Sequence, residues 1–146
     1  MHDREAISNV TVIAIEGRGL MLDGPPGSGK STLALQLIDR GAVLVGDDGV
    51  VLTRSHDQLI ATPPPNTAGK LEARNVGLVD LPTTTAGLSL VLRLSRDAPR
   101  FPGHADMCTL LGIAIPQLAF DPTIAAADLR AAWGLRLWGL PAAQSE

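Results

Sequence analysis

Apolar and polar positions first alternate and then run together, and the change of period sets the expected elements. Val10-Thr11-Val12-Ile13-Ala14-Ile15 is β-branched and apolar, which predicts a strand. Glu16-Gly17-Arg18-Gly19 is a tight connection into a second short strand, Leu20-Met21-Leu22, so a hairpin is expected. Over residues 31–40 the period lengthens: Leu33, Leu37 and Ile38 fall on one face of a helix that Gly41 stops. Ala42-Val43-Leu44-Val45 reads as a buried strand ending at Gly46-Asp47-Asp48-Gly49. Residues 50–53 and 58–61 predict a strand pair around the polar turn Arg54-Ser55-His56-Asp57.

Regularity then weakens. Pro63, Pro64 and Pro65 remove consecutive backbone donors, so residues 62–69 are expected to form a loop. Residues 70–81 mix charge with apolar side chains and end at Pro82. Residues 88–94 predict a further strand, residues 97–106 a loop, and residues 110–115 fit strand or helix equally. An alanine-rich helix is expected from Thr123 to about Leu137, opened by Asp121-Pro122-Thr123, with residues 142–146 fraying beyond it.

Composition narrows the class. A chain of 146 residues, 45% apolar and 18% charged, is expected to be one soluble globular domain. A net charge of −3 gives no electrostatic case for nucleic acid or an anionic membrane. Aromatic residues are too few for base stacking, with two Trp, two Phe and no Tyr. Trp133 and Trp138 are expected to serve in packing or a subunit contact. No leader is visible, and Arg93 and Arg96 interrupt the best apolar run, so a cytoplasmic location is expected. The single Cys108 excludes an internal disulfide and suits a reducing compartment. His2, His56 and His104 have no metal-ligand spacing.

The chemistry concentrates in Gly24-Pro25-Pro26-Gly27-Ser28-Gly29-Lys30-Ser31-Thr32, a full G-x-x-x-x-G-K-[ST] match between an apolar strand and a helical pattern. Such a loop wraps backbone N–H groups round phosphates, and the following helix adds its positive end. Lys30 would reach the outer phosphates of ATP and Ser31 would ligate Mg²⁺. Asp47 and Asp48 stand at the end of the next strand. Phosphoryl transfer needs a carboxylate on the metal or one that takes the attacking hydroxyl's proton, and two adjacent acids could divide those jobs, although Asp-Asp-Gly is also good turn chemistry. Successive side chains diverge on an extended backbone, so one of the two is expected to face the phosphates. Val76-Gly77-Leu78-Val79-Asp80 is a weaker candidate for the metal-binding strand end, with Asp80 equally readable as a solvated terminus.

Three blocks together resemble the catalytic domain of HPr kinase/phosphorylase in the short form without its N-terminal domain. They are Gly17-Arg18-Gly19-Leu20 running into the phosphate loop, Leu44-Val45-Gly46-Asp47-Asp48, and Leu71-Glu72-Ala73-Arg74-Asn75-Val76-Gly77-Leu78-Val79-Asp80. The third is similar to the family's L-E-x-R-G-x-G-[IL] signature, and the likeness covers roughly residues 7–82. It implies an α/β P-loop kinase domain over residues 1–146, with a mixed sheet of the HPr kinase and PEP carboxykinase type and a C-terminal helix. It further implies Mg·ATP-dependent phosphorylation of a serine on HPr, the phosphocarrier of the sugar phosphotransferase system, and reversal by phosphorolysis.

By the same resemblance Asp48 is the base, Glu72 joins Ser31 at the metal, with Asp47 the adjacent carboxylate candidate, Arg74 lies near the transferred phosphate, and the assembly is a homohexamer. The family's late arginine does not align, and Arg100 and Arg96 are candidates for it that read equally as solvated surface residues. Asn9 occupies the position of a family histidine, Pro26 that of a serine, and Asn75 that of the signature glycine, where Asn tolerates a positive φ. No P-x-x-P-G-R-like segment is recognisable in residues 115–122. Asn9 cannot carry a proton at neutral pH. A small-molecule P-loop kinase and a nucleotide-binding regulator with little turnover remain open as alternatives.

Overall fold

Uninterrupted apolar runs form the central strands, and segments that mix charge with apolar residues form the edges. The computed structural model describes residues 3–142. Its elements in chain order are β1 (Arg4–Ser8), β2 (Val10–Ile15), β3 (Arg18–Asp23), α1 (Lys30–Asp39), β4 (Val43–Gly46), β5 (Gly49–Ser55) and β6 (Gln58–Thr62). There follow β7 (Lys70–Ala73), β8 (Gly77–Asp80), β9 (Ala86–Leu94), β10 (Asp106–Leu110), β11 (Ile113–Phe120) and α2 (Ala127–Trp138). His2 and residues 143–146 lie outside the described residues, as do the expectations made for them. No helix among the described residues is long and apolar enough to cross a membrane.

The expected mixed α/β sheet is present, with nine strands and the path β1-β5-β6-β9-β3-β2-β4. β9 is its hub. Parallel β3 runs along one edge, while the other edge is divided between antiparallel β6 at the start and parallel β11 at the end. The pairing of β3 with β9 steps from Gly19↔Leu88 to Leu20↔Leu90, leaving Ser89 as an extra residue. That step reverses the facing of β9: Ala86 and Leu88 join one core, whereas Leu90, Leu92 and Leu94 join the other. At the same point a Cβ on Gly19 would stand 2.9 Å from the Gly87 carbonyl oxygen, so the strands approach this closely only with glycine there.

The helices cover one face. Leu33, Ala34 and Leu37 of α1 and Ala127, Ala131 and Leu135 of α2 pack on Ile13, Leu20, Leu22, Leu90 and Leu92. On the other face the sheet curls until β2 packs against β5, burying Val12, Met21, Val50, Leu52 and Leu59. The predicted hairpin β2–β3, the strand pair β5–β6 and the helix after the glycine-rich loop all form.

Three differences have physical causes. β1 went unread because it is an exposed edge whose charged residues face solvent. Residues 110–115 hold a hairpin turn, with Leu111 and Gly112 at φ 49° and 79° between β10 and β11. The C-terminal helix starts at Ala127, not Thr123, because Asp121 Oδ1 accepts from the Thr123 amide at 2.9 Å and its hydroxyl at 2.6 Å. These two bonds, the hydroxyl first, hold the Asp121 carboxyl below the usual carboxylate range. The turn is therefore fully formed above the ordinary aspartate value and loosens as pH falls through the lowered one. Thr123→Val removes the stronger bond and is expected to raise the Asp121 titration midpoint, as followed by carboxyl carbon NMR.

Candidate active site

β3 ends at Asp23, and the chain loops back into α1 through residues 24–29. Gly27 and Gly29 take φ of 81° and 103°, and the Ser28 amide donates to the Pro25 carbonyl at 3.1 Å. Gly24 admits no side chain: a Cβ there would lie 2.7 Å from Ser28 Oγ and 3.3 Å from Leu94 Cβ. No side chain among the described residues caps α1, and its first turn holds no acid. Its leading amides are thus left for an anion. Lys30 is 9% exposed, and its ammonium donates to the carbonyls of Gly24 and, at 3.3 Å, Pro25.

The acidic turn closes beside this loop. Asp47 Oδ1 accepts from Ser31 Oγ at 2.7 Å and from Thr11 Oγ1 at 2.8 Å. Thr11 is wholly buried on β2, so its hydroxyl needs this partner. Asp48 has left the extended conformation, at φ 59°, and both acids border one cavity. Asn9 mirrors this bend at φ 64° between β1 and β2, and its amide donates to the Asp48 carbonyl at 3.3 Å.

The third wall is the β7–β8 hairpin. Leu71, 1% exposed, packs toward α1 and leaves the alternate residue Glu72, with Arg74 beyond it, on the cavity. Asn75 has the positive φ, 67°, expected of a residue standing for glycine. The cavity, about 350 Å³, gathers Asn9, Pro26, Gly27, Gly29, Lys30, Ser31, Thr32, Asp47, Asp48, Glu72 and Arg74 from the sequence-expected set. Gly24, Pro25 and Ser28 border a second cleft across the loop. Arg100 is absent from the lining of either and sits over the Phe101 ring at 5.5 Å. Asp80 pairs with Lys70 as an exposed strand end. Sequence reasoning passed over Thr11, although a hydroxyl inside an apolar strand was its signal.

Among the described residues no three His, Cys, Asp or Glu side chains cluster as a metal cage. The paired Ser31 and Asp47 oxygens instead suit an ion completed by phosphate and water, as Mg²⁺ prefers.

A glycine-rich loop between a central strand and a helix, on a mixed sheet, places this protein in the α/β P-loop kinase fold class. The chain belongs to the HPr Serine kinase C-terminal domain family, whose sequence model matches residues 3–95. The HPr kinase/phosphorylase of Clostridium beijerinckii is 43% identical over 82 residues, covering 56% of this chain and 27% of that protein. The Clostridium tetani protein of the same name is 42% identical over 81 residues, covering 56% and 26%. The chain thus spans about a quarter of the length of the curated relatives it matches. The solved Hpr(Ser) kinase/phosphatase from Coxiella burnetii superposes with a TM-score of 0.79 at 26% identity, over 90% of this chain and 94% of that one.

Gly46 sets where the acids stand. A Cβ on it would strike the Gly49 carbonyl oxygen and lie 2.8 Å from Val50 Cγ1. Gly46→Ala is expected to cost about 1–3 kcal/mol, read as a lower urea midpoint at unchanged slope.

Proposed function

We propose that this chain is a protein serine kinase that takes Mg·ATP and phosphorylates an HPr-like phosphocarrier. The observation that carries the reading is the Ser31–Asp47 oxygen pair at the phosphate loop, with Asp48 on the same wall. In this reading the amides of residues 27–32 and Lys30 hold the phosphates, while Ser31, Asp47 and Glu72 hold Mg²⁺. The ion supplies charge neutralisation between the outer phosphates.

Asp48 takes the proton from the serine hydroxyl as its oxygen bonds to the γ-phosphorus. The bond from that phosphorus to the β–γ bridging oxygen breaks, and ADP leaves with the electron pair. Arg74 orients the phosphoryl group. In the phosphorolysis half of the proposal an oxygen of inorganic phosphate bonds to the phosphorus of phosphoserine, and the bond from that phosphorus to the serine oxygen breaks. Pyrophosphate leaves, and the protonated Asp48 carboxyl returns its proton to the serine oxygen. A cytoplasmic location belongs with this substrate. A homo-oligomer, hexameric in the resembled family, belongs with it too, and exposed Leu129, Trp133 and Leu137 along α2 supply apolar surface for assembly.

Intact-mass analysis of HPr from the same organism, incubated with the protein and Mg·ATP, should show one added phosphoryl group. Asp48→Asn is expected to lower transfer by about a hundredfold or more while keeping ATP binding, whereas Lys30→Ala loses binding. Asn9, which cannot shuttle a proton, favours a second reading as a nucleotide-binding regulator. ATP binding without transfer to any protein would establish that reading in place of the first.

A further inference from the structure

The cavity that gathers the acids is walled by glycine, hydroxyl, amide and charged groups, and only Pro26 among its lining residues is bulky and apolar. Its one guanidinium, on Arg74, is the group assigned above to the phosphoryl being transferred. Across the glycine-rich loop, sharing Gly27 with it, opens a second cleft of about 650 Å³. This cleft lies at the carboxyl ends of parallel β3, β9 and β11, where open α/β sheets receive ligands.

Its walls are fixed by bonds already made. Asp23 Oδ2 stands 3.5 Å from Arg93 Nη2, a pair that cancels charge next to the loop. The Ser95 amide donates to the Phe120 carbonyl at 2.9 Å, and Ser95 Oγ accepts from the Asp97 amide at 3.1 Å. Thr123 is held by Asp121, and Pro122 leans on the phosphate loop, with its Cγ 3.6 Å from where a Cβ of Gly29 would be. Arg96 borders the same cleft, exposed, and makes no ion pair or side-chain hydrogen bond among the described residues. A guanidinium without a hydrogen-bonded partner, bordering the same cleft as a proline ring and hydroxyl and carboxylate acceptors, is a setting for a flat heterocycle and a sugar.

We infer that this second cleft binds the purine nucleoside of the nucleotide whose phosphates lie along residues 27–32. Arg96 stacks on the base, Pro122 and Leu94 supply its apolar contact, and Asp23 and Thr123 accept from ribose hydroxyls. The inference rests on the proposed phosphate site. Of the cleft's lining residues Arg96, Pro122 and Thr123 lie beyond the family match, which ends at residue 95.

Calorimetry in Mg²⁺ with ATP and with inorganic triphosphate tests it, on the whole chain, Arg96→Ala and the cleft-filling Ser95→Trp. The wild type should bind ATP about tenfold more tightly than triphosphate. Arg96→Ala should shrink that ratio and Ser95→Trp abolish it, with triphosphate affinity constant throughout. Equal affinities in the wild type, or a ratio unmoved by Arg96→Ala, would overturn the inference and leave the phosphate site intact. Triphosphate that fails to bind the wild type would overturn the phosphate site as well. Amide NMR of the unmutated protein gives the same decision without variants. Shifts seen with ATP but not triphosphate should fall at Ser95, Arg96 and Thr123, and shifts confined to the acidic cavity would contradict it.

Discussion

One carboxylate oxygen joins three elements of this fold. Asp47, at the end of β4, accepts from a hydroxyl on β2 and from another on the first turn of α1. Charge-assisted bonds of this kind are short and strong, and Thr11 is buried where water cannot substitute. The bond therefore stabilises the sheet and sets the spacing between acid and phosphate loop in one contact. Glycines on both sides make the approach possible. Gly24 leaves room for Ser28 beneath the loop, and Gly46 lets the acidic turn fold under β5.

The glycine-rich loop, its helix and the following acids were legible because their chemistry demands residues in fixed order over a short span. The β2–β3 hairpin was legible for a similar reason, being a local contact between adjacent apolar runs. That Glu72 and Ser31 line one cavity was not readable from periodicity. It depends on Leu71 packing against a helix some forty positions earlier, and only the family resemblance suggested it. The turn at Asp48 was not readable either, because alternation assumes extended backbone and Asp48 is left-handed. Arg100 was named as a candidate for a family arginine that does not align, and it borders neither cavity.

Similarity in sequence and in shape have different extents here. The family match stops at residue 95, whereas the likeness to the Coxiella burnetii structure takes in 90% of the chain. Catalytic loops tolerate few substitutions, while a core accepts many exchanges of similar volume. β10, β11 and α2 thus complete the sheet and its helical cover with a sequence that has drifted further.

The link between Asn9 and Asp48 ties the acid to the outermost strand. β1 runs in register with β5 up to Ser8↔Gly49, and the next amide holds the carbonyl of Asp48. Mechanically, β1 is a lever with its fulcrum at Asn9 and the Asp48 backbone at its short arm. A pull on that strand would reach the acidic turn through this bond, while among the described residues α1 has no such link to β1.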